Sequence, residues 1–233
     1  MMYKIFSANG KLNPKFLPSN SIYFGMLLTM IGGFLDVYAF VTRGGVFANV
    51  QTGNFVLFGI NLIQGNLYQA LLHILPIIAF MIGVVVAEIL KRQKKLRLCG
   101  ISGKTIILLE MLFFTIIGLL PSTFPNIAVT FMLSFAASLQ YSYFRKISDL
   151  AYSNTMITGN LLTATKSIYS AITTGDKEAA IQFFKLMIII ACFVIGVLSG
   201  AFLIQVIGNK AIWFVSILLL IIGILYRSSL QAS

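Results

Sequence analysis

Charge is scarce in this chain. Asp, Glu, Lys and Arg make up 10% of its 233 residues, where soluble domains keep about a quarter, and the mean hydropathy is +0.94. Such a chain cannot cover itself with a solvated surface, which excludes a soluble globular domain and leaves an integral membrane protein. Cysteine is nearly absent. Cys99 lies in a basic loop and Cys192 within an apolar run, so the two offer no structural disulfide. His73 is the only histidine; it reads as an interfacial or packing residue, and no Cys/His set has metal spacing. The parts of an enzyme are missing as well. There is no neighbouring pair of carboxylates, no nucleophile–histidine pair and no metal set, so neither an enzyme nor a cofactor is expected.

Acid is scarcer than base: six Asp and Glu stand against 17 Lys and Arg, a net charge of +11. Basic patches attract nucleic acid, but these residues sit between apolar spans, where the positive-inside rule accounts for them. No nucleic-acid partner is expected. The main cluster, Lys91, Arg92, Lys94, Lys95, Arg97 and Lys104, suits anionic lipid head groups.

A membrane crossing needs about 20 apolar residues. Runs of that kind cover Ile22–Thr42, Tyr68–Leu90, Thr105–Leu120, Asn126–Phe144, Ala179–Ile207 and Ala211–Tyr226. The stretch 121–125, with proline at both ends, and Gly208-Asn209-Lys210 read as turns. If these six runs cross and nothing else does, fifteen of the seventeen basic residues face the cytoplasm and only Arg43 and Lys210 face out. Eight crossings would export one of the basic groups, so six fit best. The expected fold is therefore an all-α polytopic membrane helix bundle of six full spans plus two broken or re-entrant helices. Residues 1–21 form an uncleaved cytoplasmic tail, 22–120 a first membrane repeat, 121–227 a second, and 228–233 a short cytoplasmic tail.

The two remaining apolar segments carry the same tripeptide, Thr52-Gly53-Asn54 and Thr158-Gly159-Asn160, 106 positions apart. Each half then reads span, broken segment, long span, span. Three crossings per half invert the second half, and inverted repeats in transporters place the site at the repeat interface. Glycine permits a helix break and asparagine is a favoured N-cap. Asn54 is thus expected to cap a half-helix from Phe55 to Leu62, and Asn160 one from Leu161 to Tyr169. Two half-helix N-termini facing each other would favour an anionic group.

Asp36 lies two-thirds along the first span, where a carboxylate should face protein or a cavity. It reads as a proton carrier, a cation ligand or a structural partner of the broken segment, with Arg43 two turns on to neutralise it. The candidate solute-binding set is Asp36, Gln51, Thr52, Gly53, Asn54, Thr158, Gly159 and Asn160. Asn49, Gln140 and Asn154 are weaker candidates for the same cavity. Lys104 is expected to pair with Glu110, Glu88 with Lys91 and Arg92, and Arg145 with Asp149, while Lys166 and Lys185 reach the cytoplasmic interface.

Phe34-Leu35-Asp36-Val37, Gly44-Gly45-Val46-Phe47 and Gln51-Thr52-Gly53-Asn54, with the later Thr158-Gly159-Asn160, resemble the YoaK family of bacterial inner-membrane proteins, a domain-of-unknown-function family. The resemblance implies a multi-pass protein of the bacterial inner membrane and says little of substrate. The functional expectation is a transporter or channel for a small solute, anions among the candidates, bound between the two helix breaks. The alternative is a non-transporting scaffold or regulator in which the tripeptides are helix-packing devices. Partners are then membrane lipids and a small solute, and a homo-oligomer stays open.

Overall fold

The computed structural model describes residues 17–18, 21–92, 103–144 and 157–227. Among them the chain is all-α: α1 Ile22–Thr42, α2 Gln51–Ile63, α3 Leu67–Arg92, α4 Gly103–Leu119, α5 Asn126–Tyr143, α6 Ile157–Thr174, α7 Lys177–Ile207 and α8 Trp213–Leu225, with a 3-10 turn over Gly208–Ile212. The six expected spans all appear as helices, with ends shifted by a residue or two. Arg145, Lys146, Asp149, Asn154, Cys99 and half of the basic cluster (Lys94, Lys95 and Arg97) lie outside the described residues.

The helix ends follow from local chemistry. Ser21 caps α1 by accepting from Phe24 N at 3.2 Å, and Asp176 caps α7 by accepting from Glu178 N and Ala179 N. Between α4 and α5, Pro121 and Pro125 bound a tight turn in which Phe124 N donates to Pro121 O, since neither proline can continue a helix. Three helical stretches are long and apolar enough to cross a membrane by length and composition: Ile22–Thr42, Leu67–Arg92 and Lys177–Leu225. With large apolar side chains such as Phe202, Leu198 and Ile224 on the outside, this is a helical membrane protein.

Packing follows a crossed pattern. α1 runs along α7 and α3 along α5, while α4 lies against α8. Small residues set the distances. On α7, Gly196 meets the Met30 carbonyl of α1, Gly33 of α1 meets the Phe193 carbonyl, and Gly200 faces Val37 and Phe34. On α3, Gly83 meets Phe135 O and Ser138 of α5. A side chain at any of these positions would push backbones apart. The α4–α8 pair adds polar ties, with Trp213 donating to Thr115 O at 3.2 Å and Ser216 to Met111 O. At one end, Phe24, Phe144 and Tyr226 cluster edge to face, and Leu17–Pro18 pairs in parallel with Tyr226–Arg227. The start of α1 and the end of α8 therefore lie side by side.

Candidate functional site

The polar positions of the first half form one folded unit between α1 and α2. α1 ends at Thr42, and Gly44 and Gly45 follow with φ of 88° and 80°, a left-handed conformation that glycine adopts without penalty. The pair reverses the chain, and an extended limb runs back along α1. Its depth is given by Asn49, whose backbone N–H donates to Asp36 Oδ1 at 2.7 Å and whose side chain donates to Gly32 O at 3.2 Å. Gly32 lies about 15 Å from the end of α1 at 1.5 Å per residue. The limb thus returns to the middle of α1 before α2 begins, and α2 climbs away again with 13 residues.

Asn54 locks the limb to the helix. Its Oδ1 accepts from Phe47 N at 2.9 Å, and its Nδ2 donates to Phe47 O at 2.8 Å and to Gln51 Oε1 at 2.9 Å. The amide stands in for a peptide group, pairing with both backbone atoms of Phe47. Gln51 Nε2 in turn donates to Ala48 O. The Phe47 ring closes the unit, lying on Gly53 and 5.0 Å from the Phe40 ring.

Several expectations are corrected here. Asn54 does not cap a half-helix from Phe55. The helix starts at Gln51, Val50 is its N-cap, and no side chain caps it. The break lies upstream, over residues 43–50, because the glycine pair turns the chain there. Asn160 likewise sits inside α6, which begins at Ile157. Asp36 and Arg43 form no ion pair: Asp36 spends one oxygen on the limb, and its Oδ2 and all three Arg43 side-chain nitrogens have no hydrogen-bond partner. Of the three roles open to Asp36, the bond to Asn49 is the structural one. Glu110 is buried and takes a bond from Gln140 at 3.0 Å instead of pairing with Lys104. Asn49 and Gln140 are likewise bonded within the protein. The Glu88–Lys91 pair forms at 2.8 Å, with Arg92 at 3.9 Å.

The first motif thus gathers Asp36, Gln51 and Asn54, with Gly53 under Phe47, and leaves Thr52 exposed. The second is arranged differently. Asn160 is buried, whereas Thr158 and Gly159 are exposed. α2 packs on α3 and α6 on α7. Below the second motif, α6 and α7 form an open cleft of about 560 Å³ whose polar lining is Thr163, Lys166, Ser167, Ser170, Asp176, Glu178, Gln182 and Lys185. Ser167 bridges it to Gln182 Oε1 at 2.9 Å. Lys166 and Lys185 therefore share a polar cleft. Among the described residues, no group of three or more His, Cys, Asp or Glu is arranged to hold a metal ion. Sequence reasoning misses Phe47 and the burial of Arg43; the Gly44-Gly45 pair is the available signal that the chain turns there.

A family model described as "Protein of unknown function (DUF1275)" matches residues 24–225, nearly the whole helical part. The chain belongs to the DUF1275 family. That agrees with the domain-of-unknown-function resemblance drawn from the aspartate, Gly-Gly-x-Phe and Thr-Gly-Asn positions, which this DUF1275 protein joins in one hydrogen-bonded unit. No curated protein and no solved structure matches it.

Proposed function

We propose that this protein is a transporter or channel for a small solute, built from two inverted repeats of three crossings and one re-entrant helix each. The observation that carries the reading is the limb over residues 43–50, which turns back to the level of Gly32 and Asp36 before α2 begins. α2, at 13 residues, is about 20 Å long, short of a hydrocarbon core of about 30 Å, and follows irregular backbone, whereas α8, also 13 residues, is continued by the 3-10 turn over Gly208–Ile212. Irregular backbone at that depth is tolerated where protein or a water-filled cavity satisfies it.

The crossed packing supports the repeat. The first helix of each half lies on the third helix of the other, α1 on α7 and α5 on α3, and each contact is opened by a glycine on the third helix, Gly196 and Gly83. The pairing of Leu17–Pro18, just before α1, with Tyr226–Arg227, just after α8, supports an even number of crossings, with both termini in the cytoplasm of a bacterial inner membrane. In this reading Thr52, Thr158 and Gly159 face the solute path, while Asp36, Gln51, Gly53, Asn54 and Asn160 hold the re-entrant backbone in place. One observation favours the scaffold reading: Gly53 serves packing, under the Phe47 ring.

The test is labelling of Thr52→Cys and Thr158→Cys, in a background lacking Cys99 and Cys192, with a membrane-impermeant thiol reagent, alongside reporters fused after Gly65 and Gly175. The expected result is labelling at both positions, with the Gly65 reporter outside and the Gly175 reporter in the cytoplasm. A cytoplasmic Gly65 reporter makes α2 a crossing helix and ends the re-entrant reading. Protection of both cysteines from both sides leaves the scaffold.

A further inference from the structure

The cleft between α6 and α7 is polar on both walls and charged at both ends. The two helices form a hairpin closed by Gly175 and Asp176, and each turns a polar row toward the cleft at steps of three or four residues. α6 brings Thr163, Lys166 with Ser167, and Ser170, while α7 brings Glu178, Gln182 and Lys185. Ser167 is buried and donates across to Gln182 Oε1 at 2.9 Å. That bond orients the amide and leaves its Nε2 to donate to something else.

The two ends differ in sign. Lys166 stands eight residues before the end of α6 and Lys185 nine residues after Asp176, so both lie about 12–14 Å from the turn at 1.5 Å per residue. Among the described residues neither lysine makes a hydrogen bond or an ion pair. Two ammonium groups at one depth of a shared cleft repel each other and are costly below a membrane surface, so together they favour an anion. The acids lie at the other end, beside the turn. Asp176 caps α7 through Oδ1 alone, and Glu178 follows in the first turn. The four charged groups of the lining therefore sum to zero. A simple anion satisfies the lysines but is repelled by the acids. A ligand with a negative group at the lysines and a positive group toward the turn matches both.

Size and surroundings narrow the ligand. At about 560 Å³ the cleft is far larger than one ion and falls in the range, on the order of 300–1,000 Å³, that holds organic ligands. Residues 173–178 are all exposed, which puts the turn on the water side. Next to the lining residues, Leu162, Tyr169 and Phe184 are exposed as well, an apolar surface for acyl chains beside a polar head. In a phospholipid with an amine head the phosphate sits nearer the hydrocarbon and the ammonium nearer water. The lysines and the acids are stacked in that order.

We propose that this cleft binds the phosphoethanolamine head group of a membrane phospholipid, the phosphate on Lys166, Lys185 and the Gln182 amide and the ammonium beside Asp176 and Glu178. The site needs neither the transport nor the re-entrant reading, because its evidence is the cleft itself and its test reads binding.

The test uses the full chain, delipidated in neutral detergent. Short-chain phosphatidylethanolamine, phosphatidylglycerol and water-soluble glycerophosphoethanolamine are titrated in turn. Bound ligand is counted by native mass spectrometry, and thermal unfolding is followed through the single tryptophan, Trp213. The wild type should bind phosphatidylethanolamine saturably, at least fivefold tighter than either of the other two. Lys166→Gln with Lys185→Gln, on exposed and half-buried side chains, should weaken that binding at least tenfold. Asp176→Asn keeps a residue suited to an N-cap; combined with Glu178→Gln it should erase the preference over phosphatidylglycerol, and it decides the question if the lysine pair does not fold. Lys104→Gln, exposed at the start of α4, should leave binding unchanged. The proposal is overturned by a wild type without saturable binding, or by undiminished binding in the lysine pair. Phosphatidylglycerol bound as tightly as phosphatidylethanolamine would also overturn it, making the cleft a plain anion site. Glycerophosphoethanolamine bound as tightly as the lipid would overturn the lipid source and assign the cleft to a soluble ester.

Discussion

The two Thr-Gly-Asn segments share three residues and little else. In the first, the polar groups are spent on holding the backbone. Asp36 and Asn49 fix the depth of the limb, Asn54 pairs with both backbone atoms of Phe47, and Gly53 makes room for the Phe47 ring. In the second, Gly159 has no described atom within 4 Å of a would-be Cβ, Thr158 is exposed, and α6 opens onto a polar cleft with two lysines. One half is closed by internal bonding and the other is left open on its polar side. Under the proposed pair of repeats, this division would give rigidity to α2 and solute contact to α6. Identical short motifs therefore take different parts in the two halves, and their neighbours decide which.

The largest effect that can break the contrast is at Asn54. Asn54→Ala leaves the Phe47 N–H and C=O without partners in a half-buried setting, at about 1–2.5 kcal/mol for each unsatisfied group. The expected loss is about 2–5 kcal/mol on that basis, read as a lowered unfolding midpoint in detergent, together with new thiol reactivity of a cysteine placed at Val46, which is fully buried. A midpoint unchanged from wild type would mean that the limb is held by Asp36 and Asn49 alone.

A smaller effect is expected at Gly53. A methyl group there sits 2.8 Å from two ring carbons of Phe47, so the ring must shift within a packed unit, at about 1–3 kcal/mol for such overpacking. Gly53→Ala should destabilise the protein, and Phe47→Leu should relieve most of that loss in the double variant, since the two sites share one contact. Additive losses would place the strain elsewhere.

Much of this is legible in the sequence. The long helices follow from apolar runs bounded by proline and glycine, and a residue or two is the usual uncertainty at helix ends. The stretch from Val46 to Ile63 is legible as a separate segment but not in its geometry. The run from Val46 to Ile63 carries no signal of where extended backbone gives way to helix, and an asparagine near a helix start reads as an N-cap. Its real partner, Phe47, lies seven positions back across an irregular limb, where no periodicity applies. Arg43 misleads for a related reason. An arginine at the end of a span ordinarily snorkels to the interface, and here the chain folds back immediately after it, at Gly44 and Gly45, against Leu72 and the start of α5.

The smallest effect has the opposite sign and tests the contrast most directly. Gly159 lies in the first turn of α6, and among the described residues nothing is close enough to resist a side chain. Alanine is favoured over glycine within a helix by up to about 1 kcal/mol, less near a helix start, where the backbone is only partly fixed. Gly159→Ala should therefore leave the unfolding midpoint unchanged or raise it slightly, while Gly53→Ala lowers it. If α6 lines the solute path, the same methyl group narrows that path without loosening the fold, so labelling of Thr158→Cys should slow in the Gly159→Ala background. Equal destabilisation at Gly53 and Gly159 would mean that both tripeptides are packing devices, and the division of labour between the two halves would fall.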